Sequence, residues 1–176
     1  MIHESSYWKD DLLKLASRLE RRLIQTRWDE KNFYTVEKEI FIGFYSIRKL
    51  IESKKVSDHI SKKKYNIQEI PYRGNPESII TRIKEPEYEF RNLKYTEISI
   101  YDLCNQFIHS HHFVPFIPNG KNLIGFFFCS DHKRKSGLYL ITLFDVVDIY
   151  RSVGKNYPHT IHTVRLPNGK STTTIE

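Results

Sequence analysis

Glycine is scarce, seven in 176 residues, and none of it forms the glycine-rich loop that cradles a phosphate or a dinucleotide. A Walker lysine and a GxSxG elbow are missing too, so kinase, dinucleotide-dependent and serine-hydrolase readings have no support. Long apolar runs are absent. The longest, residues 123–129, is far short of the ~20 residues a membrane span requires. Only two cysteines occur, Cys104 and Cys129, each inside an apolar run and not in a CxxC pair. They read as reduced, buried thiols of a cytoplasmic protein, not as a disulfide framework. Residues 1–9 are polar and lead directly into a helical pattern, so no signal peptide is expected.

What is present is a folded, basic composition. Hydrophobic residues make up 39 % and aromatics 14 %, enough for a core within one domain. Lys and Arg number 28 against 21 Asp and Glu, a net charge of +7, and the pI is near 9.3. RNA or another nucleic acid is therefore a reasonable partner.

Along the chain, Ser5 or Ser6 caps a helix to about residue 25, with Trp8, Leu12, Leu15, Ala16, Leu19 and Leu23 on one stripe. Lys14, Arg18, Arg21 and Arg22 line the other side, as a solvated face or as a phosphate-contacting ridge. A second helix spans about 32–53, and Gly43 within it would let another helix approach closely. Ser57 caps one further turn. Residues 65–97 read as a long excursion with a strand or two and at most one short helix, punctuated by Pro71, Gly74, Pro76 and Pro86, with Ile79 and Ile80 in short apolar pieces. Its Arg73, Arg82, Lys84, Arg91 and Lys94 interleave with Tyr72, Tyr88, Phe90 and Tyr95. That mixture fits stacking on unpaired bases, or a loop packed by its own aromatics. Residues 122–129 and 138–143 form a β-hairpin whose tip carries Lys133, Arg134 and Lys135. A helix over 144–153 follows, and Asn168-Gly169 marks a last hairpin.

The central stretch is residues 99–113, SIYDLCNQFIHSHHF, drawn as one helix capped by Ser99. Helical spacing puts Ile100, Leu103, Cys104, Phe107 and Ile108 on one side. It puts Asp102, Asn105, His109 and His112 in a polar row on the other. Such a row could hold a phosphate, move a proton, bind a metal or simply face water. His109 and His112 with Asp102 are the nearest metal candidates, and Cys129, Asp131, His132, His159 and His162 lie further off. No HExxH or CxxC spacing joins them, so no metal and no cofactor is expected.

A helical pair followed by a short helix with Asn105 and His109 resembles the HEPN superfamily. These are small helical domains, often metal-independent ribonucleases of bacterial toxin–antitoxin and phage-defence systems. The family motif is an arginine, a polar residue such as Asn, and a histidine. Asn105 and His109 match the last two. The arginine would fall at Asp102, Leu103 or Cys104, and it is missing there. The resemblance implies an RNA-directed protein, either a ribonuclease or a degenerate relative, with a site formed across a homodimer. The alternative is a non-enzymatic module that binds a protein or a nucleic acid.

The sequence-level expectation is thus one α+β domain over residues 1–176. A helical core of three to four helices occupies about 5–113. A hairpin-helix-hairpin part at about 114–176 supplies a small antiparallel β element toward the C-terminus. The catalytic candidates are His109, Asn105, Asp102 and His112.

Overall fold

In the computed structural model, which describes residues 2–75, 83 and 85–176, helix α1 (Ser6–Arg22) buries Leu12, Leu15, Ala16 and Leu19 on the predicted stripe. Helix α2 (Glu30–Glu52) begins where the Asp29 carboxylate accepts from the Asn32 amide at 2.7 Å, satisfying an orphan donor of the first turn. After a single turn α3 (Asp58–Ser61), the chain enters β1 (Lys64–Pro71), crosses the excursion with a 3-10 turn at Glu85–Glu87, and forms β2 (Lys94–Ser99). Helix α4 (Ile100–Ile108) leads into β3 (Ser110–Phe116). The hairpin β4 (Gly125–Ser130) and β5 (Gly137–Thr142) follows, then helix α5 (Leu143–Gly154) and a last hairpin, β6 (Ile161–Arg165) and β7 (Ser171–Ile175).

The β structure is larger than the sequence reading allowed. Helix accounts for 40 % and strand for 27 % of the chain. Five antiparallel strands lie in the order β2-β1-β5-β4-β3, with β6 and β7 as a separate pair. This overturns the helical core with only a small C-terminal β element. Strands β1 and β2, inside the excursion, join the C-terminal hairpin through pairs such as Gln68↔Leu140. Pairing between residues so far apart leaves no local signature, because each strand is read from its own few side chains.

Alternation then divides the sheet. Ile67, Ile98, Phe126, Phe128 and Ile141 face the helices in one continuous core. On the outer face Ile70, Cys129 and Leu138 pack with Tyr88. Tyr88 meets Tyr72 at 5.1 Å and Phe90 at 6.2 Å, and Phe90 meets Phe127 at 5.5 Å. The excursion's aromatics thus fill an outer core, while Tyr95, 76 % exposed, stands apart from them. Pro76, Ile79, Ile80, Arg82 and Lys84 lie outside the described residues.

Helix α1 packs chiefly against α5, and α2 against α4. Cys104 and Cys129 are both fully buried and unpaired. Burial pushes the Cys129 thiol up to about 12 and the Cys104 thiol higher still, so both are inert thiols. Among the described residues, no helix is long and apolar enough to cross a membrane.

Candidate functional site

Helix α4 sets the geometry. Ser99 Oγ accepts from the Asp102 amide at 3.0 Å and donates to its carboxylate at 2.6 Å, a reciprocal cap. Leu103, Cys104 and Phe107 are buried, which turns Tyr101, Asp102 and Asn105 away from the core. Packing of α4 on α2 then brings Arg48 to this outer side. Its Nη1 donates to Asn105 Oδ1 and its Nη2 to the Tyr101 hydroxyl. The guanidinium lies over the Tyr101 ring at 3.7 Å, a cation–π contact. Its Nε donates to Glu52 Oε1 at 2.7 Å, and Lys49 reaches Glu52 Oε2 at 2.9 Å. Hydrogen bonds from Lys49 and then Arg48 hold the Glu52 carboxyl below its ordinary range.

The sequence reading missed Arg48. With Glu52 at i+4 it reads as an ordinary surface ion pair on α2, and nothing local connects it with a residue 57 positions on. In the fold its side chain is 18 % exposed and supplies the cation that α4 lacks. A guanidinium carries five N–H donors. Three are engaged here, leaving two, and the Asn105 amide, its oxygen turned to Arg48, keeps its nitrogen as a donor.

The predicted polar row is divided. His109 ends α4 rather than lying inside it: its N–H donates to Asn105 O at 3.0 Å, and its carbonyl accepts from the Asp131 amide at 3.1 Å. Asn105 and His109 therefore stay one turn apart, with His109 exposed. Gln106 Oε1 accepts from the Ser130 amide at 2.9 Å and ties this end of α4 to the β4–β5 turn. Asp102 belongs to the cap.

His112 is a correction. The chain is extended from Ser110 with a bulge before His112, so the helical spacing to Asn105 and His109 does not hold. His112 pairs with Cys129 on the outer sheet face and is 5 % exposed. Its Nε2 has no hydrogen-bond partner among the described residues. Burial, with the His111 ring at 4.6 Å and Arg134 nearby, holds its pKa below the ordinary imidazole value. It is a neutral packing residue, although Asp131 lies 3.7 Å from His111 and 3.2 Å from Arg134.

A pH dependence follows. The unfolded chain binds a proton at this imidazole from about pH 6.5 downward, while the folded chain resists doing so. Stability supplied by neutral His112 is complete above pH 6.5 and is lost as pH falls toward the depressed folded pKa. Urea midpoints between pH 7.5 and 5.5 are expected to fall, by at most about 1.4 kcal/mol per pH unit from this group, and to fall less in His112→Gln. Equal pH slopes in the two proteins would contradict the assignment.

The proposed basic surfaces are mostly paired internally. Lys14 meets Asp11 at 3.0 Å and Arg18 meets Glu39 at 2.6 Å. Arg22 donates to Gln25 at 2.5 Å and Asn32 at 2.8 Å. At the β4–β5 tip, Lys133 is bound to Glu69 and lies over the Tyr139 ring at 4.9 Å, and Arg134 meets Asp131. Arg21 and Lys135 are exposed with no ion pair among the described residues.

Among the described residues, no group of three or more His, Cys, Asp or Glu could hold a metal ion. Two cavities, of 520 and 410 Å³, lie away from Asn105 and His109. Arg48 and Asn105 are half-buried and His109 is exposed. Comparison with known protein families, with curated proteins and with solved structures gives no match.

Proposed function

We propose that this is a cytoplasmic, RNA-directed protein of the HEPN-like kind, with Arg48, Tyr101, Asn105 and His109 forming the face that meets the RNA backbone. One observation carries the reading: Arg48, from a different helix, is bonded to Asn105 one turn from His109. A cation thus stands against the Asn105 amide, which the α4 sequence alone does not supply.

The chemistry asked of these groups is modest. In metal-independent cleavage the RNA 2′-oxygen bonds to the adjacent phosphorus while the bond to the 5′-oxygen breaks. One group accepts the 2′ proton, another donates to the departing oxygen, and positive charge steadies the crowded phosphate. An imidazole can fill either proton role. The remaining Arg48 donors and the Asn105 amide nitrogen are suited to phosphate oxygens. The complementary proton role falls to a group of a second copy, because sites of the family it resembles commonly form across two subunits.

A second reading rests on Glu52, which neutralises part of the Arg48 charge. Such a face would hold RNA without cleaving it. Incubating the protein with total RNA, with and without chelator, separates the two. Chelator-resistant cleavage that drops by about a hundredfold or more in His109→Ala supports the nuclease. A mobility shift without cleavage supports the binder. Neither effect would leave a protein-interaction role and remove RNA from the account.

A further inference from the structure

The 520 Å³ cavity lies between the start of α2 and the edge strand β3, and the RNA reading makes no use of it. Its walls are Trp28, Phe33, Phe113, Pro115 and Ile117, and Glu37 is the one charged side chain among its lining residues. Trp28 stacks on Phe33 with ring centroids 5.3 Å apart and planes 16° from parallel. The indole N–H donates to the Lys121 carbonyl at 2.7 Å, which pins the ring and removes the only side-chain N–H donor that the lining offers among the described residues. What remains is aromatic surface and a carboxylate that has no ion pair among the described residues.

A pocket of this size, with mostly apolar walls and one charged group, has the usual build of a small-molecule site. Aromatic faces and a carboxylate attract positive charge, through the ring quadrupole and directly. An anionic ligand would meet Glu37 with no side-chain donor to offset it. A peptide adding a strand to β3 is disfavoured by Pro115. Phe116 turns its carbonyl toward Ile124 on the β4 side (2.9 Å), so the alternating backbone of Pro115 faces the open edge, where it has no N–H to give.

We propose that this cavity binds a small organic cation, an ammonium or guanidinium group carried on an apolar body. The cation sits at Glu37 and the apolar body lies against Trp28 and Phe113.

Calorimetric titration of the full chain with benzylammonium at pH 7 tests this, with benzyl alcohol as the neutral comparator. Saturable binding of one benzylammonium per chain is expected, weakened about tenfold both for the alcohol and in Glu37→Gln. Because Glu37 is exposed on a helix, that variant keeps the fold, and the comparison between alcohol and ammonium needs no variant. No saturable binding, equal affinity for the alcohol, or unchanged affinity in Glu37→Gln overturns the proposal. Tighter binding of a glycine-flanked lysine pentapeptide than of benzylammonium would overturn it in favour of a peptide partner. Arg48, Asn105 and His109 are untouched in these experiments, so the outcome is separate from that of the RNA assays.

Discussion

Replacing Gly43 by alanine is expected to destabilise the protein by on the order of 3 kcal/mol, although the same exchange in an open helix stabilises by about 1 kcal/mol. The reason is Tyr150. A Cβ on Gly43 would lie 2.1 Å from the Tyr150 Cζ atom and 2.2 Å from its hydroxyl oxygen. That ring is fully buried on α5, set edge-on to Phe44 at 5.4 Å, and its hydroxyl donates to the Ile40 carbonyl at 2.7 Å. Relieving the clash moves the ring, breaks a buried hydrogen bond and opens space beside Phe44. Overpacking and an unsatisfied hydroxyl each cost about 1–3 kcal/mol, and the gain in helix propensity offsets only part of this. Urea denaturation checks the sign. A midpoint equal to or above that of the parent would contradict this account of how α2 and α5 meet.

Phe107→Ala should lower stability by about 3–5 kcal/mol. Phe107 is fully buried and is the middle of three stacked rings, 4.1 Å from Phe44 and 4.3 Å from Phe128, with planes within 14°. Phe41 and Phe113 complete the surround at 6.4 and 6.3 Å. This one side chain joins α2, α4 and the sheet, so its removal leaves a cavity where three layers meet. A typical domain is stable by only 5–15 kcal/mol, so the loss is a large fraction of the total. Phe107→Leu, which retains more of the volume, should cost visibly less. A loss below about 1 kcal/mol for the alanine variant would show that the stack is not where the layers are joined.

These two positions also mark what sequence reveals here and what it withholds. The first two helices, the Ser99 cap and the hairpin at Asn168-Gly169 follow from local chemistry: apolar periodicity, a side-chain acceptor at the cap, and a glycine at φ 78° in the turn. Gly43 could be read as a point of close approach. Its partner, Tyr150, could not, because it comes from more than a hundred residues later. The ladders from β1 to β5 and from β3 to β4 depend on the same non-local pairing.

The end of α4 departs from its helical pattern for a related reason. His109 to Phe113 satisfy helical spacing on paper. However, β4 offers Phe113 a ring at Phe126, 5.0 Å away, and a place at the sheet edge. Tertiary packing outweighs a short helical pattern. Asn105 and His109 stay at the C-terminal end of α4, while His112 goes to the outer sheet face. Arg48 lay hidden inside an unremarkable i,i+4 pair.

The central claim is that Arg48 and Asn105 meet the RNA backbone together. The salt dependence of RNA binding tests it most directly, read as the slope of log K against log salt concentration in the parent and in Arg48→Gln. The thermal midpoint of each protein confirms that it is folded. The account predicts measurable binding by the parent and a slope smaller by about 0.7–0.9 in the variant, the share of one phosphate contact. Identical slopes, or no binding by the parent at low salt, would contradict it.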